Sequence, residues 1–176
     1  MKDAVLLVVD VQTWLVQQHP YNERNVIRNI QHLLACCREK GIDVVYVRHD
    51  DGPGSDLERN TDGWQIYHEI VPQGDRVFDK EYNSDFRHTG LKEYLDGRNI
   101  QNIILVGMQT EYCIDATLKA AFEYGYKIII PEETNTTFDN EYLDAKTLYE
   151  FYHYQIWKDR FAKVLPIATV EQMLLE

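Results

Sequence analysis

The chain has 176 residues, enough for one domain with a sizeable buried core. Its 18 basic and 29 acidic residues leave a formal charge of −11, and such a surface repels phosphate backbones and anionic lipid, which argues against nucleic-acid or membrane partners. No apolar run is long enough to span a bilayer, and three cysteines without a CxxC pair make neither a disulfide framework nor a zinc motif, so a cytoplasmic home is expected.

Ala4–Val9 is apolar at every position and reads as a strand buried on both faces. The start superficially resembles a signal peptide, but its apolar stretch is short and ends at Asp10 rather than at small residues. Val26, Ile30, Leu33, Leu34 and Cys37 then recur at helical spacing, with Gly41 as the stop. Val44–Val47 is a second strand. The stretch His49–Asp75 carries Gly52-Pro53-Gly54, Asp62-Gly63 and Trp64, and an irregular segment of that length is expected to be functional or a lid.

Arg76–Phe78 is a short third strand, followed by a helix around Leu91–Leu95. Ile103–Val106 is the fourth strand, and Ile114, Leu118, Ala121 and Phe122 stripe the next helix, which Gly125 closes. Ile128–Ile130 is the fifth strand. A long helix is expected from about Asn140 to Trp157, then a last strand at Val164 and a helix near Val170–Leu174. Doubly apolar strands alternating with amphipathic helices predict a single α/β domain over residues 1–176. Its form is a three-layer α/β/α sandwich around a six-stranded, mainly parallel, doubly wound sheet.

Ligands of such sheets bind beyond the carboxyl ends of the strands, where the winding reverses. Asp10 leaves the first strand, Lys80 the third, and Cys113 follows the fourth at the mouth of a helix. Singly these are a turn residue, a surface lysine and a core thiol. Together they supply a nucleophile, a base for its proton and a cation to hold the base. A thiol at the positive end of a helix is expected to favour its thiolate.

Three stretches carry a family resemblance: "LLVVDVQ" at the first strand, "DKEYNSDF" at the lysine and "ILVGMQTEYCIDATLKAAFEYGY" at the cysteine. Over nearly its whole length the chain resembles the isochorismatase-like cysteine hydrolases, which include nicotinamidases, carbamoylsarcosine and ureidoacrylate amidohydrolases, and isochorismatases. The resemblance implies an Asp10-Lys80-Cys113 triad and an oxyanion hole from the backbone N–H groups of Gln109 and Cys113. It also implies a cis peptide at Met108–Gln109 and no organic cofactor. Nicotinamidases of this family bind a metal through an Asp-x-His pair and a further His, whereas here "VRHDDGPGSDLERN" has the wrong order. His49, Asp51 and His68 are the residues left to gather a cation, and a metal-free site is expected.

Gln12, two residues beyond Asp10, is a candidate pocket amide or a turn hydrogen-bonder, and Trp14, Trp64, Tyr82 and Phe86 are candidate walls for a planar substrate. Cys36 and Cys37 are given no role, and His153 is expected to be structural or solvated. The stretch "YEFYHYQIW" suggests a subunit contact in a homo-oligomer, dimer or tetramer. The expected activity is hydrolysis of a small amide-type C–N bond through a thioester. The alternatives are vinyl ether hydrolysis, which needs no thiol, and a non-catalytic thiol sensor, which needs no acid.

Overall fold

The computed structural model describes residues 1 and 3–175. β1 (Ala4–Val9), β2 (Asp43–His49), β3 (Arg76–Lys80), β4 (Asn102–Met108), β5 (Lys127–Pro131) and β7 (Lys163–Leu165) form a parallel sheet in the order β3-β2-β1-β4-β5-β7. A two-residue strand, β6 (Asn135–Thr136), pairs with the end of β4 and makes the sheet seven-stranded rather than six. Two residues carry too little periodicity to be seen in the sequence.

Every residue of β1 is buried because the strand lies at the centre with helices on both faces. Leu6 and Val8 join one apolar cluster with α2 (Glu23–Lys40) and α6 (Ile167–Leu175). Val5, Leu7 and Val9 join the other, with α3 (Leu91–Gly97) and α4 (Asp115–Glu123). The α2 stripe is buried at Val26, Ile30, Leu33, Leu34 and Cys37, and Gly41 ends the helix in the left-handed conformation at φ 67°. A short helix, α1 (Thr13–Gln17), precedes it.

The late helix begins farther along than its aromatic pattern suggests. Asn140 accepts from the N–H groups of Tyr142 and Leu143 in a turn, and Asp144 caps α5 (Ala145–Glu150) by accepting from Thr147 N–H at 2.9 Å. The helix then widens to a π-helical segment over Phe151–Trp157. In that segment His153 and Trp157 are buried, while Phe151 and Tyr154 face outward. Among the described residues no helix is long and apolar enough to cross a membrane.

The winding direction reverses between β1 and β4, which pair in register from Ala4↔Asn102 to Val9↔Gly107. Gly107 has φ +124°, and a Cβ there would fall 2.0 Å from the Val9 carbonyl oxygen. Only glycine lets the two strand ends approach so closely. This closeness sets the segment after β4 beside the segment after β1.

Candidate active site

Asp10 takes a left-handed backbone (φ 49°) as the chain leaves β1, and the residue is 1% exposed. Lys80, the last residue of β3, reaches across the strand ends with its side chain fully buried. Its ammonium lies 2.8 Å from Asp10 Oδ2, 2.5 Å from Asp85 Oδ1 and 2.9 Å from the Asn83 carbonyl oxygen. Three acceptors thus face the three N–H donors of one ammonium. Burial alone would lower the Lys80 pKa, but Asp10 and then Asp85 outweigh it and hold the ammonium well above its usual range.

Cys113 sits in a π-helical turn, Thr110–Ile114, that connects β4 to α4. The Met108–Gln109 peptide ahead of it is cis. The Gln109 carbonyl accepts from the N–H groups of Tyr112 and Ile114, at 3.2 Å each, on either side of Cys113. The Gln109 N–H has no acceptor among the described residues. Cys113 Sγ, an Asp10 carboxylate oxygen and a His49 ring nitrogen all lie within 4.8 Å of one another. Asn83 Oδ1 is 3.9 Å from the sulfur.

The thiol is not the resting thiolate that its place at a helix mouth suggests. Burial, and next the Asp10 carboxylate, push its pKa far up against the opposing pull of Lys80. The sulfur is therefore a protonated thiol beside an acceptor for its proton. Asp85, fully buried, is raised by its burial and by Asp10 while Lys80 pulls it down.

Asp10 and Cys113 open on a cavity of about 190 Å³. Trp14, Leu15, Leu57 and Met108 form its apolar wall, and Asp10, Asn83, Gln109 and Cys113 its reactive floor. His49, Asp51 and Tyr112 complete the rim. The volume is below the 300–1,000 Å³ usual for drug-sized ligands, so it suits a small one.

The long segment after β2 contributes Asp51 and Leu57 to the cavity. Its far end is pinned to the chain after β1, with Thr13 N–H bonded to the Gln65 carbonyl, Trp14 N–H to that of Gly63, and Tyr67 N–H to that of Val11. Gln12 is fully buried and acts as a strut. Its Oε1 accepts from His49 N–H at 2.9 Å, and its Nε2 donates to the carbonyls of His49 and Trp64, each at 2.9 Å.

Of the four candidate wall aromatics, Trp14 lines the cavity. Trp64 is buried away from it with the Arg48 guanidinium 3.5 Å over its ring. Phe86 packs in the core against Tyr124 and Tyr126. Tyr82 stacks under Arg87 on the surface. Alternating aromatics do not reveal which face of a loop turns inward.

Nor do His49, Asp51 and His68 gather as a ligand set. His49 Nε2 is 3.5 Å from Asp51, while His68 is exposed on a separate turn against Tyr67. Asp85, Asn83 and Leu57 are site residues that pattern reading missed, while Tyr112, placed near the site by its neighbour Cys113, lies on the rim. The first two lie inside "DKEYNSDF", where an Asp five residues past a buried lysine is the available signal.

Behind the cysteine turn, Thr110 donates to Asn135 Oδ1 at 2.8 Å, and the Asn135 amide meets His153 Nε2 at 2.9 Å. His153 Nδ1–H donates to the Tyr149 carbonyl at 2.7 Å. Burial lowers the His153 pKa to about 4 despite that bond, so this histidine is a neutral structural link between β6 and α5.

Residues 4–167 match the family model of the isochorismatase domain. Over 137 residues the chain is 31% identical to a streptothricin hydrolase of Streptomyces noursei, a match covering 76% of this chain and 50% of that protein. The chain spans about half the length of the streptothricin hydrolases it matches. It is 26% identical to nicotinamidase 3 of Arabidopsis thaliana across 82% of this chain and 78% of that one. The crystal structure of an isochorismatase family protein, 27% identical, superposes with a TM-score of 0.87 over 94% of this chain and 99% of its own. The chain belongs to the isochorismatase family.

Proposed function

We propose, from that family membership, that this hydrolase cleaves a small amide-type C–N bond through a covalent thioester on Cys113. The observation that carries the proposal is the buried Lys80–Asp10 ion pair, 2.8 Å long, opening on the same small cavity as the Cys113 sulfur. A carboxylate so placed is available for the thiol proton, and a thiol held protonated at rest needs such a base.

The steps follow from these groups. Asp10 takes the thiol proton as the sulfur attacks the substrate carbonyl, and the N–H groups of Gln109 and Cys113 receive the developing oxyanion. Support for that cradle comes from the unpartnered Gln109 N–H and from the way its carbonyl bonds pass on either side of Cys113. Protonated Asp10 then delivers its proton to the leaving nitrogen, the C–N bond breaks, and a thioester remains. Water, deprotonated by the same carboxylate, attacks the thioester and releases the acid and the thiol. Lys80 stays charged throughout and keeps Asp10 anionic between steps, while Asp85 and the Asn83 carbonyl fix Lys80. The chemistry needs no organic cofactor and no metal.

The relatives named a streptothricin hydrolase and a nicotinamidase support an amide-type substrate. The test is amine or ammonia release across a panel of small amides, compared with Cys113→Ala. Turnover by the native protein and none by the variant is the expected result. Turnover that survives the loss of the sulfur would return vinyl ether or other thiol-free chemistry to first place.

A further inference from the structure

We propose that Asp10, His49 and Cys113 form a latent site for a single borderline-soft divalent cation, Zn²⁺ in kind, and that its occupancy closes the active site. One carboxylate oxygen, one imidazole nitrogen and one sulfur lie within 4.8 Å of one another. Ligand atoms of a tetrahedral zinc site stand roughly 3.5 Å apart, given bond lengths of about 2.0–2.3 Å. A contraction of about 1 Å, met by rotation of the His49 ring within the cavity rim, therefore brings the three into range.

Each donor has a free atom. Among the described residues His49 Nδ1 is buried without a hydrogen-bond partner, and its Nε2 lies 3.5 Å from Asp51, a residue two-thirds exposed. The Gln12 strut holds the His49 backbone by both its N–H and its carbonyl, so the imidazole is anchored beside the cavity. Lys80 engages Oδ2 of Asp10 and leaves Oδ1 buried and unpartnered among the described residues. Imidazole, carboxylate and thiolate together are a donor set that suits zinc rather than magnesium or calcium.

Charge favours the same occupant. Asp10 and Asp85 are buried carboxylates that share the one ammonium of Lys80, which leaves the cluster one negative charge in excess. Binding releases the Cys113 proton to solvent as the sulfur–metal bond forms, with no change of oxidation state. The thiolate adds a negative charge and the dication brings the whole set to neutrality. Lys80 opposes the cation but is already held by three acceptors. The blocking consequence rests on Cys113 being the nucleophile, whereas the binding does not.

The experiment titrates the purified full-length protein, freed of metal by a chelator, with Co²⁺ and then with Zn²⁺. The expected result is a thiolate-to-cobalt charge-transfer band that saturates at one equivalent and disappears on adding Zn²⁺. The band should be absent from Cys113→Ser and retained in Cys36→Ser, which removes a partly exposed thiol away from the site. Since even outer-shell partners of a metal are worth about 10–100-fold in affinity, His49→Gln should weaken Co²⁺ binding by at least about tenfold. Absence of the band at millimolar Co²⁺, its survival in Cys113→Ser, or unchanged affinity in a folded His49→Gln would each overturn the site. If the band behaves as expected but no amide is hydrolysed, the metal site stands and the proposed chemistry falls.

Discussion

Replacing Lys80 with methionine keeps the apolar stem and removes the charge that two buried carboxylates share. Asp10 and Asp85 are 1% and 0% exposed, so both stay largely desolvated when the ammonium is gone. Removing one partner of a buried ion pair costs about 3–5 kcal/mol, and here the orphaned charges are two and repel each other. The variant should therefore lose at least about 3 kcal/mol of stability near neutral pH. The loss should depend on pH with a definite sign. Burial and the Asp10 charge already raise the Asp85 pKa against the pull of Lys80, and removing Lys80 lifts it further above its unfolded value. The folded variant then binds more protons than the unfolded chain, and its stability falls as pH rises through that window. Urea unfolding at about pH 8 and about pH 5 measures this, with the deficit against the native protein larger at the higher pH. Lys80→Met/Asp85→Asn should recover part of the loss, since one of the two orphaned charges is gone. A deficit below about 1 kcal/mol at pH 8, the size of an exposed pair, would refute the buried cluster, as would a deficit that grows on acidification.

Other outcomes test separate parts of the structure. Gly107→Ala should cost more than about 3 kcal/mol or abolish soluble expression, because its Cβ would meet the Val9 carbonyl oxygen at 2.0 Å in a left-handed backbone; denaturant midpoints decide it. His153 has its pKa lowered to about 4, so the unfolded chain binds the extra proton between about pH 6.5 and 4. Its stabilisation is present above pH 6.5 and is lost as pH falls through that window, a change on the order of 3 kcal/mol that a folded His153→Gln should flatten in pH-dependent thermal melts. Exhaustive chelation should leave amide turnover unchanged or raise it. A loss restored by added metal would contradict the metal-free chemistry.

Much of the scaffold was legible in the sequence because strands buried on both faces and helices striped on one obey simple periods. β1 was readable to the residue, and Gly41 marked the end of α2. Asp10, Lys80 and Cys113 were legible because each leaves a strand on the same rim, and the fold brings them together. What stayed hidden depends on three-dimensional context. β6 is two residues long, and the start of α5 is delayed by turns that Asn140 and the Asp144 cap define. The inward face of the segment after β2 is set by its bonds to the chain after β1, so Trp64 and Trp14 could not be told apart by type. The resting state of Cys113 is the plainest case. Helix position alone favours a thiolate, yet burial and the adjacent carboxylate win by proximity.

Cys113 is proposed to carry the acyl group during turnover. The most direct test is acid quenching of the enzyme in the steady state with an amide that it hydrolyses, followed by intact and peptide mass spectrometry. The expected result is an added mass equal to the acyl portion of the substrate, located on the peptide containing Cys113. It should be removed by hydroxylamine and absent from both Cys113→Ala and Asp10→Asn. Turnover that continues in Cys113→Ala, or an adduct located on any other residue, would contradict it.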